Sequence, residues 1–204
     1  MDENIIAKEI NEENFKSAIE VYTEAFTDDP LHIYLFPELE ERIRITGLFY
    51  EMMVNEFVYG LNLQFRGVYE NDELAAALIY ARPDAYEWNE NMMNIVMEMR
   101  REAKNDKVNY VSEYTMKANN FKPREKHFYL NELAVRKKHR RKGYAKMLIA
   151  NAENDAKNFP EAKIMGLDTS NKINVDIYRR LGFNIYKEFP FRSLKGYVMR
   201  KSIN

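Results

Sequence analysis

The chain has 204 residues, of which 46% are hydrophobic and 31% charged, the proportions of a globular protein large enough to bury a sizeable core. Its 31 lysines and arginines nearly balance 32 aspartates and glutamates, so no overall positive field draws the chain to nucleic acid. The sequence has no cysteine, no long apolar core at its N-terminus and no apolar run of membrane-spanning length. We therefore expect a cytoplasmic protein without disulfides and with no membrane or nucleic-acid partner.

The first part of the chain predicts a strand, two helices and a hairpin. Apolar residues recur at helical spacing after the first strand, and Asn71-Asp72 has the composition of a tight hairpin turn. In chain order the predicted elements are a strand at 5–10, a helix at 12–26, a turn at Asp28-Asp29-Pro30, a helix at 38–59, and hairpin strands at 61–70 and 73–81.

Residues 84–123 separate this part from the next strand. Within them, residues 88–118 have a helical pattern, with Met92, Ile95, Val96 and Met99 on one face. One interpretation is an extra helix that covers one side of the sheet. The other is a functional lid, because long insertions in compact domains often serve a function.

The stretch from Tyr129 to Phe159 predicts a strand, a basic turn and an amphipathic helix. Residues 128–135 form an apolar run of strand length, and apolar residues recur at helical spacing after Gly143. Arg140, Arg141 and Lys142 lie at the positive end of the helix dipole, where each positive charge is unfavourable by roughly 0.3–1 kcal/mol. The pattern predicts a bound phosphate at the helix start; a nucleic-acid patch is the alternative for the basic run 136–142.

A second strand and helix follow. Residues 162–167 predict a strand, 168–171 a cap or turn and 172–181 a helix that stops at Gly182. Residues 184–189 and 194–201 predict two closing strands.

Two motifs in these segments resemble the GNAT superfamily of acetyl-CoA-dependent N-acetyltransferases. The matching positions are the R-x-x-G-x-A residues Arg140, Gly143 and Ala145, then Asn171, Tyr178 and the ending Leu181-Gly182-Phe183. The resemblance implies an α/β (α+β) acyl-CoA N-acyltransferase fold, a mixed, mostly antiparallel sheet flanked by helices. It also implies a single domain over residues 1–204, with 84–123 as a helical insertion before the cofactor-binding strand and 128–135 parallel to 162–167.

The resemblance assigns roles to the motif residues. Tyr178 would protonate the leaving thiolate, and Glu132 is the candidate general base, with ordered water as its rival. Glu132 could instead pair with a lysine or arginine across the sheet. The residues expected to bind acetyl-CoA are Leu133, Ala134, Val135, Arg140, Arg141, Lys142, Gly143, Tyr144, Ala145, Lys146, Asn171 and Tyr178. No metal is expected, because His32, His127 and His139 lack a ligand-pair spacing.

The acceptor expected from the family is the primary amine of a small molecule. Glu24, Asp28 and Asp29 lie among Phe26, Tyr34 and Phe36, in a loop similar to that of GNAT enzymes that acetylate small amines. Carboxylates with aromatic walls favour a cationic amine; alternatively, Asp28 and Asp29 only form the turn before Pro30. The other functions left open are a peptide or protein N-acetyltransferase and a non-catalytic acyl-CoA sensor. A homodimer is also left open.

Overall fold

One mixed sheet forms the centre of the molecule in a computed structural model, which describes residues 5–86 and 90–203. Within these ranges the sheet has seven strands in the order β1-β2-β3-β4-β5-β7-β6. The strands are β1 (Ile5–Glu9), β2 (Gln64–Glu70), β3 (Glu73–Ala81), β4 (Phe128–Val135), β5 (Ile164–Thr169), β6 (Asn184–Phe191) and β7 (Leu194–Ser202). Neighbours are antiparallel except β4 and β5, which are parallel. The fold class expected from the sequence is confirmed.

Helices pack on both faces of this sheet. They are α1 (Phe15–Phe26), α2 (Pro30–Leu35), α3 (Leu39–Met52), α4 (Val58–Gly60), α5 (Glu90–Ala103), α6 (Val108–Asn119), α7 (Tyr144–Asp155) and α8 (Lys172–Arg180). A π-helical turn, Met53–Phe57, joins α3 to α4, so one helical segment fills most of the predicted range 38–59. None of the described helices is both long and apolar enough to cross a bilayer.

Local turn chemistry accounts for most of the element boundaries. Asn71 and Asp72 have φ of 51° and 64°, the left-handed pair that a tight two-residue hairpin requires. Gly182 has φ of 91° and follows α8, as expected of a helix-terminating glycine.

Two helices differ from the sequence predictions. The chain turns before Pro30 as expected, but it then forms the short helix α2, because the Asp29 side chain caps it by accepting from Leu31 N at 2.9 Å. The helical pattern at 88–118 gives two helices instead of one, interrupted after Lys104, which has φ of 51°. The side chains of Met92 and Ile95 lie outside the described part of the structure.

The two parallel strands pair over only part of their length. Ile79 pairs with Glu132 and Tyr80 with Leu130, so Asn131 is an extra residue that bulges β4. On its other side, β4 pairs with β5 from Phe128 to Leu130 only. The edge of residues 131–135 that faces β5 is therefore unpaired, and a gap opens in the middle of the sheet.

The insertion is packed into the body of the molecule. Its helices α5 and α6 share a hydrophobic cluster with α2, α3 and the β6–β7 hairpin. The buried residues of this cluster are Leu31, Leu35, Phe36, Ile45, Met99, Ala103, Val108, Tyr114, Ala118, Phe189, Phe191 and Val198. The insertion thus contributes to the core and forms one wall beside the gap.

Candidate active site

The basic turn, residues 136–146, connects β4 to α7. Arg141 and Gly143 have φ of 67° and 86°, in the left-handed region that glycine tolerates best. A Cβ on Gly143 would meet no atom within 4 Å, so the space beside it is open. The first intrahelical bond of α7 runs from Met147 N to Gly143 O, which leaves the N–H groups of residues 145 and 146 without helical partners. These groups are available to an anion.

Much of the positive charge in the basic turn is neutralised by the protein. Lys142 Nζ lies 2.8 Å from a Glu70 carboxylate oxygen. His139 lies between Glu70 and Glu73, with its Nδ1 and Nε2 atoms at 2.5 and 3.4 Å from them. The hydrogen bond from Lys142 holds the pKa of Glu70 below its ordinary value.

Carboxylates of α1 and the loop after it pair with the start of the same turn. Glu24 accepts from Arg136 at 3.2 Å and from Lys137 N at 2.6 Å, and Asp28 pairs with Lys137 Nζ at 2.6 Å. Glu24 and Asp28 therefore stabilise the basic turn and do not form the expected acceptor pocket. Within the described ranges, no ion pair involves Arg140, Arg141 or Lys146, all of which bear uncompensated charge.

The unpaired half of β4 joins the basic turn to a group of buried side chains. Leu133 and Val135 pack toward α7, whereas Ala134 packs toward α1 and α3. Glu132 lies on the same face as Ala134, as strand alternation predicts. Its Oε2 accepts from Tyr50 at 3.0 Å, and its backbone oxygen accepts from Tyr22 at 3.3 Å. The alternative considered for Glu132, an ion pair with a lysine or arginine across the sheet, is not formed with any residue that the structure describes.

Burial raises the pKa of Glu132 to about 8, against the opposing effect of the hydrogen bond from Tyr50. The nearby charges of Asp168 and Asp29 raise it further. The residue as a whole keeps part of its surface accessible. A carboxylate with a pKa near neutrality can accept a proton from a substrate more readily than an ordinary glutamate.

Helix α8 packs against β5 and β6 and carries the second motif. Asn171 caps it by accepting from Ile173 N at 3.0 Å. Tyr178 lies one to two turns later, half-buried, with its ring 5.8 Å from that of Phe183. No described residue hydrogen-bonds its hydroxyl. Burial, followed by the charges of Glu132, Asp168 and Asp29, raises the pKa of Tyr178, so the phenol is neutral at pH 7.

The sequence interpretation missed several side chains beside Glu132 and Tyr178. Asp168, expected only as part of a turn, accepts from Tyr129 at 2.6 Å. Together these side chains form what we call the central cluster. Its members are Asp29, Glu132 and Asp168 with Tyr22, Tyr50, Tyr114, Tyr129 and Tyr178. A carboxylate at the end of a buried strand was the one signal that could have indicated Asp168.

Of the three aromatic residues expected around the acceptor, Phe26 contacts tyrosine rings of the central cluster, and the other two lie elsewhere. Phe36 is 1% exposed within the insertion's cluster and Tyr34 is 38% exposed, so neither belongs to the central cluster. Asp29 does: besides capping α2 it lies 3.4 Å from Ser170 Oγ, and burial raises its pKa. Among residues 5–86 and 90–203, no group of three His, Cys, Asp or Glu side chains is arranged to hold a metal ion.

Comparison with known proteins identifies the family. The sequence model described as "Acetyltransferase (GNAT) family" matches residues 19–183, and no curated protein sequence matches the chain. Among solved structures, a histone acetyltransferase HPA2 and related acetyltransferase from Corynebacterium glutamicum is similar with a TM-score of 0.71 and 17% identity, covering 98% of this chain and 97% of that one.

Two further structures share the fold. The PaiA N-acetyltransferase from Thermoplasma acidophilum, in complex with coenzyme A, has a TM-score of 0.63 and 17% identity over 97% of this chain and 98% of that one. Arylalkylamine N-acetyltransferase 2 from Aedes aegypti has a TM-score of 0.62 and 18% identity over 98% of this chain and 100% of that one. With a family match over most of its length and the fold to accompany it, the chain belongs to the GNAT family of acetyltransferases, N-acetyltransferases that use acetyl-CoA.

Proposed function

We propose that the protein transfers the acetyl group of acetyl-CoA to a primary amine of a small molecule. The observation that carries this proposal is the gap between β4 and β5, which has free N–H groups at one end and a carboxylate with a pKa of about 8 at the other. A phosphate-bearing cofactor and an amine would meet between them.

In this proposal the cofactor lies along the unpaired edge of β4. Backbone groups of Leu133, Ala134 and Val135 bind the pantetheine arm, as an added strand would. The N–H groups of Arg141, Lys142, Gly143, Tyr144, Ala145 and Lys146, with the side chain of Arg140, bind the pyrophosphate. Asn171 and Tyr178 lie beside the thioester.

Glu132 is the proposed general base. An alkyl ammonium with a pKa near 10.4 costs roughly 4–5 kcal/mol to deprotonate at pH 7. Glu132 accepts this proton, and the amine nitrogen then bonds to the thioester carbon. The N–H of Leu133 is the proposed donor to the resulting oxyanion. The carbon–sulfur bond breaks, and the thiolate leaves with the electron pair. The nitrogen gives its second proton to solvent as the amide forms, and solvent returns a proton to the acid that protonates the thiolate.

Tyr178 is the proposed acid that protonates this thiolate. The negative charge of Glu132 is one cause of its raised pKa. When Glu132 takes the proton of the amine, that charge disappears, and the pKa of Tyr178 falls because the two groups titrate together. Proton uptake by the base thus prepares the acid for the second half of the reaction.

The insertion supports a small acceptor over a peptide. Its helix α6 packs against α2 and the β6–β7 hairpin, and its Tyr114 hydroxyl is directed toward Asp168. The central cluster is therefore walled on the side where a peptide would need an open groove. We therefore assign the insertion the structural role of this wall and not that of a mobile lid.

Thiol release from acetyl-CoA, followed across a panel of small amines, amino acids and short peptides, tests the proposal. We expect saturable turnover with at least one small primary amine. Turnover confined to peptides would move the assignment to a peptide N-acetyltransferase. Tight coenzyme A binding without turnover of any amine would favour the sensor.

A further inference from the structure

Three carboxyl groups from three separate parts of the chain converge on the central cluster. Asp29 precedes α2, Glu132 lies on β4 and Asp168 lies at the end of β5. Asp29 lies 3.4 Å from Ser170 Oγ, two residues after Asp168, and Asp168 accepts from Tyr129 of β4 at 2.6 Å, which brings the three carboxyls to the same part of the sheet. None of them takes part in any ion pair of the described residues. The cluster is therefore strongly acidic, although buried carboxylates are normally paired with cations.

The pKa values of the three groups reflect this imbalance. Burial raises the pKa of Asp29, Glu132 and Asp168 above their ordinary values. The nearest described cation is Lys122, which lies 3.9 Å above the ring of Tyr129. Burial lowers its pKa, and Asp168 opposes that effect. Of the three carboxyls, only Asp168 interacts with this lysine.

Tyr114 provides an independent indication of an unfilled site. Its side chain is 5% exposed, and its hydroxyl is directed at Asp168. The hydroxyl is nevertheless too poorly placed to form a hydrogen bond of normal geometry with any described group. A buried hydroxyl without such a bond is costly, and an ammonium group bound to Asp168 can donate a hydrogen bond to this hydroxyl.

We propose that the acceptor is a linear aliphatic amine with a second positive group, and that Asp168 binds this second group. The inference rests on the proposed function, in which Glu132 deprotonates the reacting amine. Asp29 already accepts a hydrogen bond from Leu31 N as the N-cap of α2. Asp168 accepts a hydrogen bond from the phenol of Tyr129 at 2.6 Å and faces that of Tyr114, and aromatic rings beside a carboxylate can also contact an ammonium through cation–π interactions.

Diaminobutane and butylamine form a matched pair of acceptors for testing this inference. They have the same carbon chain and reacting amine and differ in the second charge. We expect kcat/KM to be at least about tenfold higher for diaminobutane, the effect of one charged hydrogen bond in a partly buried site. Equal values for the two amines, or a preference for butylamine, would overturn the inference while leaving acetyl transfer to small amines intact.

Two substitutions test whether Asp168 is the residue that causes the preference for diaminobutane. In Asp168→Asn, the ratio of kcat/KM for diaminobutane to that for butylamine should fall to within about threefold of one, because the amide cannot offset the second charge. Asp168→Glu keeps the charge and should retain the preference, even if both rates fall. The thermal shift produced by coenzyme A reports whether each variant is folded.

Each outcome has a distinct meaning. An unchanged preference in Asp168→Asn would assign the second charge to another residue and overturn the role of Asp168. If a variant does not fold, the preference of the parent protein still tests the substrate class. Failure of both amines in a parent protein that acetylates another small amine would overturn the inference and leave the proposed function intact, whereas failure of every small amine despite coenzyme A binding would contradict the proposed function itself.

Discussion

The basic turn and the central cluster lie at opposite ends of the unpaired half of β4, and they depend on different properties of the chain. The basic turn is one continuous segment that presents backbone N–H groups, and Lys142, His139 and Arg136 contact the protein's own carboxylates. The central cluster consists of side-chain carboxyls and phenols from distant segments. Side-chain changes in the cluster should therefore alter the chemical step, whereas changes to the turn should alter coenzyme A affinity.

The largest expected effect is that of Tyr178→Phe. Removing the hydroxyl removes the proposed proton donor, so kcat should fall by roughly 10²–10⁴. Coenzyme A affinity should change little, because the ring and its contact with Phe183 remain. Steady-state kinetics and the coenzyme A-induced thermal shift together measure both quantities. A kcat within a few-fold of the parent would reduce Tyr178 to a packing residue.

Glu132→Gln should lower kcat/KM by about 10² near pH 8 and change its pH dependence. The raised pKa of about 8 means that Glu132 becomes an effective base only as the pH rises through that value. A plot of kcat/KM against pH should therefore rise with an apparent pKa near 8 for the parent protein, and Glu132→Gln should lack this rising limb. A limb that persists in the glutamine variant would favour ordered water as the base.

Tyr50→Phe is the matched variant for the pH dependence of kcat/KM, because it changes the environment of Glu132 and keeps the carboxyl. The hydrogen bond from Tyr50 lowers the pKa of Glu132, so its loss should move the rising limb to higher pH while the activity at the plateau is largely retained. A variant that merely loosened the packing of Tyr50 against Tyr22 would lower the rate at every pH without moving the limb.

The raised pKa of Glu132 also makes the stability of the folded protein depend on pH. Because the folded-state pKa of Glu132 is raised, its protonation favours the folded protein, and this contribution is lost as the pH rises through about 8. The thermal midpoint of the parent should therefore fall relative to that of Glu132→Gln between about pH 5 and pH 9. Parallel curves for the two proteins would show that burial does not perturb this carboxyl.

The contrast between the two regions also explains what could be predicted from the sequence. The basic turn could be found because its strand, glycine and helix are contiguous, and local pattern determines them. The contact of Tyr50 with Glu132 spans 82 positions and that of Tyr129 with Asp168 spans 39, so no local pattern indicates them. The break at Lys104 was missed because a lysine in the left-handed region carries no helix-stop signal. A single domain over 1–204 and a cytoplasmic location remain predictions.

Gly143→Ala tests the dependence of the turn on backbone conformation. An added methyl disfavours φ of 86° by roughly 1–2 kcal/mol and projects into the open space beside the turn. Coenzyme A affinity should fall by about tenfold, measured by calorimetry. Gly182→Ala is the control: its φ of 91° is similarly strained, but it lies outside the turn, so it should lower stability and leave affinity unchanged. Equal affinity losses in both variants would refute the assignment of the turn.

The smallest expected effect is that of Lys142→Ala. Its charge is already offset by Glu70 at 2.8 Å, and ion pairs near a protein surface contribute little to stability. Coenzyme A affinity should therefore fall by less than about threefold, whereas Arg141→Ala, which removes an uncompensated charge from the same turn, should lower it by roughly tenfold. Both substitutions leave the N–H groups in place, so they compare side-chain charge alone. If Lys142→Ala causes the larger loss, Lys142 exchanges Glu70 for the cofactor phosphate on binding, and the charges of the turn would then be as much a part of the site as its backbone.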